Sequence, residues 1–272
     1  MGLSKIKPVK KINSKSKVIV FVSFKGGAGK SMIASAVASV AAHAYEQDVL
    51  LLDTDPQGTA TKYIGADKDL NGAAHLLCPG LGEEEVIQEL DDNLSVIGGN
   101  SSFNDPSFML NPMAYSDFIE STREDNMCVV IDTTNAEKGY NLQLPAHATD
   151  IVVVYDTDDG TIERSNLALG VYEKQYKTKK SNSPKFHLVL NKFKNGKTQD
   201  CSIDALSQLL EHKSKHPVYT VRDAVQFIKS RKAQCPITKW DHRNSDVRED
   251  GFVAKGPYIN DIKSLITAIY RG

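Results

Sequence analysis

Two sets of residues in this chain have types and spacings that could do chemistry together. The first is Lys25-Gly26-Gly27-Ala28-Gly29-Lys30-Ser31. Gly26, Gly27 and Gly29 leave backbone N–H groups free to close around phosphate oxygens, and the start of a following helix favours negative charge. Lys30 would reach the terminal phosphates, and the Ser31 hydroxyl would complete the shell of a Mg²⁺ ion. The second set is acidic. Asp53 and Asp55 lie two residues apart beside the glycine-rich loop, a spacing that suits holding metal-bound water and positioning an attacking water. Asp132 closes the apolar run Met127-Cys128-Val129-Val130-Ile131 and would accept a hydrogen bond from a Mg²⁺-bound water.

The elements that must position these groups can be read from hydrophobic runs. Val18 to Val22 is an apolar strand feeding the loop, and Met32 to Ala44 is an Ala-rich helix without a breaker. Asp48 to Asp53 is a second buried strand, and Pro56 and Gly58 make residues 54–61 a turn at its carboxyl end. Further strands are expected at Leu94–Ile97, Met127–Asp132, Ile151–Tyr155, Phe186–Leu190 and Pro217–Val221. Helices are expected at Glu84–Leu90, Met113–Thr122, Ile162–Tyr176, Cys201–His212 and from Val225 to Lys232. A last helix, Ile259–Tyr270, places Ile262, Leu265, Ile266 and Ile269 on one face for packing against the sheet. Residues 233–258 read as a long surface excursion. The alternation of strand and helix predicts an α/β fold: a doubly wound, mostly parallel sheet with helices on both faces.

At 272 residues, 40% hydrophobic and 25% charged, the composition is that of an ordinary globular protein. No apolar run approaches the ~20 residues of a membrane span. The N-terminus has no apolar core of the signal-peptide kind, so a cytoplasmic location is expected. Cys78, Cys128, Cys201 and Cys235 form no CxxC pair and read as reduced thiols. The net charge of −1 conceals an asymmetry. Residues 1–17 carry six lysines and no acid, while the remaining 27 basic and 34 acidic residues give −7. That tail is either a solvated flexible segment or a basic arm touching DNA or anionic lipid.

The loop departs from the usual phosphate-loop pattern, with Phe24 where a glycine is normal and a second lysine, Lys25, at its front. With the following Asp53-Thr54-Asp55-Pro56-Gln57-Gly58, it resembles the deviant Walker-A ATPases of the ParA/MinD family. The resemblance runs from Val18 to about Pro236 and implies one phosphate-loop ATPase domain over 18–272, with ATP and Mg²⁺ as cofactors. It implies that Lys25, Lys30 and Asp55 are catalytic, with Lys25 crossing a dimer interface to the partner's nucleotide. Lys25, Gly26, Gly27, Ala28, Gly29, Lys30, Ser31 and Met32 would cradle the phosphates, and Asn191 would contact adenine. Ser31, Asp53 and Asp132 would serve the metal. Arg222, Lys229, Arg231 and Lys232 are either the family's nonspecific DNA contacts or a solvated helix face. Where the family usually has a proline pair after the third aspartate, this chain has Thr133-Thr134-Asn135-Ala136.

The implied function is ParA-type DNA partition. A nucleotide-dependent homodimer would hold nonspecific DNA, and a ParB-like centromere-binding protein would stimulate hydrolysis. The protein would be cytoplasmic, nucleoid-associated and off the membrane. The alternatives are a MinD-like membrane-associated regulator and an ATP-dependent small-molecule enzyme of the same fold.

Overall fold

The structure is a computed structural model that describes residues 16–77, 86–105, 108–125, 127–135, 139–157, 159–177, 183–194, 206–212, 215–240 and 256–271. The strands are β1 (Lys17–Val22), β2 (Val49–Asp53), β3 (Ile87–Asp91), β4 (Leu94–Ile97), β5 (Cys128–Asp132), β6 (Asp150–Tyr155), β7 (Lys185–Phe193) and β8 (Val218–Arg222). They form one sheet in the order β3-β4-β2-β5-β1-β6-β7-β8. Every neighbouring pair is parallel except β3–β4. The expected doubly wound, mostly parallel α/β sheet is therefore present.

The main helices are α1 (Lys30–Tyr45), α2 (Thr59–Ile64), α3 (Ala73–Leu77), α4 (Pro112–Glu124), α5 (Asp159–Tyr176), α6 (Val225–Ala233) and α7 (Pro257–Arg271). The central strands are apolar without alternation because both of their faces are covered. Val18, Val20, Val22, Val129 and Ile131 meet Tyr115 and Phe118 of α4 and Leu169 and Tyr172 of α5 in one core. Ile19, Phe21, Leu51 and Val130 meet α1 and α7 in the other. Ala34, Ala36, Ala38, Ala41 and Ala42 are buried, so small side chains let α1 pack closely on both the sheet and α7, which itself packs on β8. Ile262, Leu265, Ile266 and Ile269 are buried as the periodicity requires. Among the described residues, no helix is long and apolar enough to cross a membrane.

Two expectations are corrected. Residues 87–91 form an edge strand and not the end of a helix over Glu84–Leu90. Asp92 and Asn93 make a two-residue turn that pairs Asp91 with Leu94, and this antiparallel pairing overrides the local helical pattern. Residues 235–240 are not a surface excursion: Cys235, Ile237, Thr238 and Trp240 are buried. The segment is pinned by Thr238 Oγ1 to His43 Nδ1 at 2.5 Å and by Lys239 Nζ to Asp91 at 2.7 Å. The basic tail over residues 1–15, the acidic cluster over 83–85, residues 201–205 of the expected Cys201–His212 helix and residues 241–255 lie outside the described residues. So do Cys78 and Cys201, while Cys128 and Cys235 are buried free thiols.

The amino end of the central sheet is tied by Asp150, which is fully buried at the start of β6. It takes Lys17 Nζ at 3.2 Å, the Thr149 hydroxyl at 2.8 Å and His187 Nε2 at 2.9 Å, joining β1, β6 and β7. Burial alone would raise its carboxyl; the contacts from His187, Lys17 and Thr149 outweigh burial and hold it below the usual range. A carboxylate held ionised in this way contributes stability that is present above about pH 4 and lost as pH falls below it. Asp150→Asn should therefore cost about 3 kcal/mol at pH 7 by urea unfolding, from breaking a buried pair. The difference from the native chain should shrink at pH 3.

Candidate functional site

The glycine-rich loop leaves the carboxyl end of β1 and enters α1 at Lys30. Parallel α/β sheets bind ligands at this end of their strands. Gly27 and Gly29 have φ of 84° and 89°, the left-handed region that favours glycine. Gly29 is constrained twice, because a Cβ there would also lie 2.0 Å from the Asn191 side chain. Gly29 caps α1 without a side-chain hydrogen bond, so the first N–H groups of the helix are open to an anion. Phe24, the departure from the usual pattern, is buried with its ring 6.1 Å from Tyr172. It anchors the front of the loop in the core.

Lys30 is buried, and its ammonium donates to Asp132 Oδ1 at 2.6 Å and to the Thr133 carbonyl. Ser31 adjoins the same carboxylate, and its hydroxyl favours the ionised form. Burial pushes the Asp132 carboxyl up, against Lys30 and Ser31, which pull it down. Its other oxygen, Oδ2, is buried with no hydrogen-bond partner. The structure thus brings Lys30, Ser31 and Asp132 together.

The two remaining aspartates divide. Asp53 pairs in register with Asp132 on the adjacent strand and is fully buried. Its oxygens accept from Asp55 N (3.0 Å), Thr61 N (2.9 Å) and Thr61 Oγ1 (2.8 Å). Burial, with the Asp132 charge beside it, pushes the Asp53 carboxyl up to about 7 against those three hydrogen bonds. Asp53, like Asp132, is fully buried behind the cleft, and both of its oxygens are engaged by protein N–H and O–H groups. It holds the first turn of α2 and the backbone of Asp55. Asp55 does line the cleft, and its Oδ1 accepts from Gln57 N at 2.9 Å.

That cleft has a volume of about 360 Å³. Lys25, Gly27 through Met32, Asp55 and Asn191 all line it. Asn191 sits at its floor, donating from Nδ2 to the Ala28 carbonyl at 2.8 Å. All four basic candidates are exposed: Lys229, Arg231 and Lys232 on α6 and Arg222 at the end of β8, with Arg222 and Arg231 also lining the cleft. The Arg222 guanidinium makes a bidentate pair with Asp261, donating from Nε at 2.6 Å and Nη2 at 2.8 Å, and Arg231 stands 6.0 Å over the Tyr63 ring.

Sequence reasoning missed several residues whose role depends on long-range contact. Asn135 lines the cleft and faces Gly26. Asn141 accepts from Thr134 N at 3.2 Å and donates to Thr134 Oγ1 at 2.5 Å, stiffening the turn that lacks prolines. Tyr140 donates to the Thr54 carbonyl at 2.9 Å, tying the segment after Asp132 to the one before Asp55. Gly99 backs the Asp55 loop: a Cβ there would lie 2.4 Å from the Asp55 carbonyl and 2.9 Å from the Asp53 carboxylate. The pair Gly98-Gly99 at a strand end was a signal for such close approach. Gly99→Ala should cost about 1–3 kcal/mol by denaturant unfolding, because backbone must move to admit the methyl group.

Residues 19–235 match the family described as the CobQ/CobB/MinD/ParA nucleotide binding domain. No curated protein is significantly similar in sequence. Among solved structures, an ATP complex of a McdA variant from Cyanothece is 11% identical with a TM-score of 0.76, covering 94% of this chain and 97% of that one. A plasmid partition protein of Borrelia burgdorferi B31 bound to AMPPNP is 19% identical with a TM-score of 0.69, covering 94% and 99%. The cell division protein MinD of Aquifex aeolicus is 14% identical with a TM-score of 0.66, covering 93% and 97%. Identities this low carry the fold; the matched span, most of the chain, carries the family. This chain belongs to the CobQ/CobB/MinD/ParA family of nucleotide-binding domains.

Proposed function

We propose that this chain is an ATPase of the ParA type, which pairs with a second copy when ATP is bound, holds DNA without sequence preference, and releases it on hydrolysis. The observation that carries the reading is the convergence of Lys25, Lys30, Ser31 and Asp55 on one cleft at the start of α1. The loop N–H groups and the end of α1 bind the phosphates. Lys30 leaves Asp132 for the terminal phosphates, and Asp55 orients the attacking water. Lys25, at the front of the loop, reaches the nucleotide of the second copy and stabilises transition-state charge.

Mg²⁺ fits this site. Asp132 offers an unpartnered buried oxygen, and Ser31 a hydroxyl beside it. Among the described residues, no group of three or more acidic, His or Cys side chains could cage a metal. Mg²⁺ needs none, since it keeps waters and takes phosphate oxygens. When bound it would neutralise charge on the phosphates.

Lys229, Arg231 and Lys232 are the exposed cations on α6 for DNA contact, Arg231 also lining the cleft. Arg222, already paired with Asp261, contributes less charge to that surface. The reading places the protein in the cytoplasm on nucleoid DNA, with a ParB-like partner stimulating turnover. The MinD-like alternative needs an apolar face for lipid. The apolar face of α7 is spent on the sheet.

Binding of the native chain to nonspecific duplex DNA should require ATP, fail with ADP, and weaken as salt rises. Lys25→Ala should abolish it. DNA ignored in the presence of bound ATP would overturn the partition reading. Asp55→Ala should slow ATP hydrolysis about 100-fold or more in a phosphate-release assay while leaving ATP binding intact.

A further inference from the structure

β7 runs past the expected Leu190 to Phe193, and its pairing with β8 shifts register between Leu190 and Phe193. Within that shift Lys192 has φ of 54°, in the left-handed region. The other non-glycine residues with positive φ among those described, Glu46 and Gln234, are helix C-caps, where this conformation is common. Lys192 caps no helix. A side chain with a Cβ holds this conformation only where surrounding contacts impose it.

Those contacts lie on the glycine-rich loop. In a regular strand, successive side chains point to opposite faces. Here Asn191 and Lys192 both reach the same loop. Asn191 Nδ2 donates to the Ala28 carbonyl at 2.8 Å, and Lys192 Nζ donates to the Gly27 carbonyl at 2.9 Å. The ammonium is held in turn by Asp156 Oδ2 at 2.5 Å, at the end of β6. Asp156 is itself fixed, since its Oδ1 accepts from Thr157 N at 2.7 Å. Two consecutive residues thus grip two consecutive carbonyls. A loop that binds anions through its N–H groups must keep its carbonyls turned away, because their oxygens repel phosphate.

We propose that Lys192, seated on Asp156, is a positioning residue for nucleotide binding. From the wall of the cleft, which it lines, it fixes the Gly27 carbonyl and so pre-orients the loop N–H groups before ligand arrives. The proposal rests on the nucleotide-binding reading of this cleft. It predicts that removing Lys192 lowers affinity without lowering stability, because the left-handed backbone is relieved when the side chain goes.

The test is ADP titration by calorimetry together with thermal unfolding of the ligand-free protein, for the native chain, Lys192→Gly and Lys192→Met. Lys192→Gly should melt at or above the native temperature yet bind ADP at least 10-fold more weakly. Lys192→Met, which keeps the stem and loses the ammonium, should also bind at least 10-fold more weakly. Native-like affinity in both variants overturns the proposal. So does a Lys192→Gly chain whose melting temperature falls along with its affinity, since that is a purely structural role. A native chain that binds no ADP overturns the nucleotide reading itself.

Discussion

The buried pair between Lys30 and Asp132 is the contact on which the rest of the site depends. A charged pair withdrawn from water is costly, and its mutual attraction repays the desolvation only with good geometry and further hydrogen bonds. Asp132 has both on one side only: Lys30 at 2.6 Å on Oδ1, and no partner on Oδ2. An apolar pair would be no worse for stability. The retention of charge here is therefore best explained by a ligand that exchanges with it. A phosphate can take the ammonium, and a metal-bound water can take the carboxylate.

The neighbouring strands are built around that pair. Asp53 sits beside Asp132 in register, and two adjacent buried carboxylates cannot both ionise without a cation nearby. Lys30 supplies that cation. The Thr54 backbone N–H and hydroxyl both donate to the Asp132 carbonyl at 2.9 Å, so the turn that carries Asp55 is fixed to the strand that ends in Asp132. Tyr140 adds a second tie through the Thr54 carbonyl, and its ring stacks with Phe103 at 5.1 Å. A change at the terminal phosphate would thus be felt at Asp55 and in the segment after Asp132 together. Such linked loops are the physical basis of a nucleotide switch.

Much of this was legible in the sequence, for local reasons. The run from Val18 through Ser31 carries its own strand, turn and helix signals, and the structure places each where the residues demand. Asp132 could be read because an acid ends an apolar run. What could not be read were pairings between distant segments. Residues 87–91 carry a pattern compatible with a helix; only pairing with Leu94–Ile97 makes them a strand. Residues 235–240 open a stretch rich in charges, yet their own apolar side chains and the ties to His43 and Asp91 draw them inward. Spacing places Asp53 near the loop but cannot show that Thr61 engages one of its oxygens and the Asp55 backbone the other. Lys192 and Tyr140 left no signal at all, since their partners lie 165 and 86 positions away.

The central claim is that Asp132 holds its free oxygen for a metal that arrives with the nucleotide. It is tested most directly by titrating ATP into the native chain and into Asp132→Asn, each with and without Mg²⁺. The account predicts that Mg²⁺ tightens ATP binding to the native chain. It predicts that this gain vanishes in Asp132→Asn while metal-free binding survives. A gain from Mg²⁺ that persists undiminished in Asp132→Asn would contradict it.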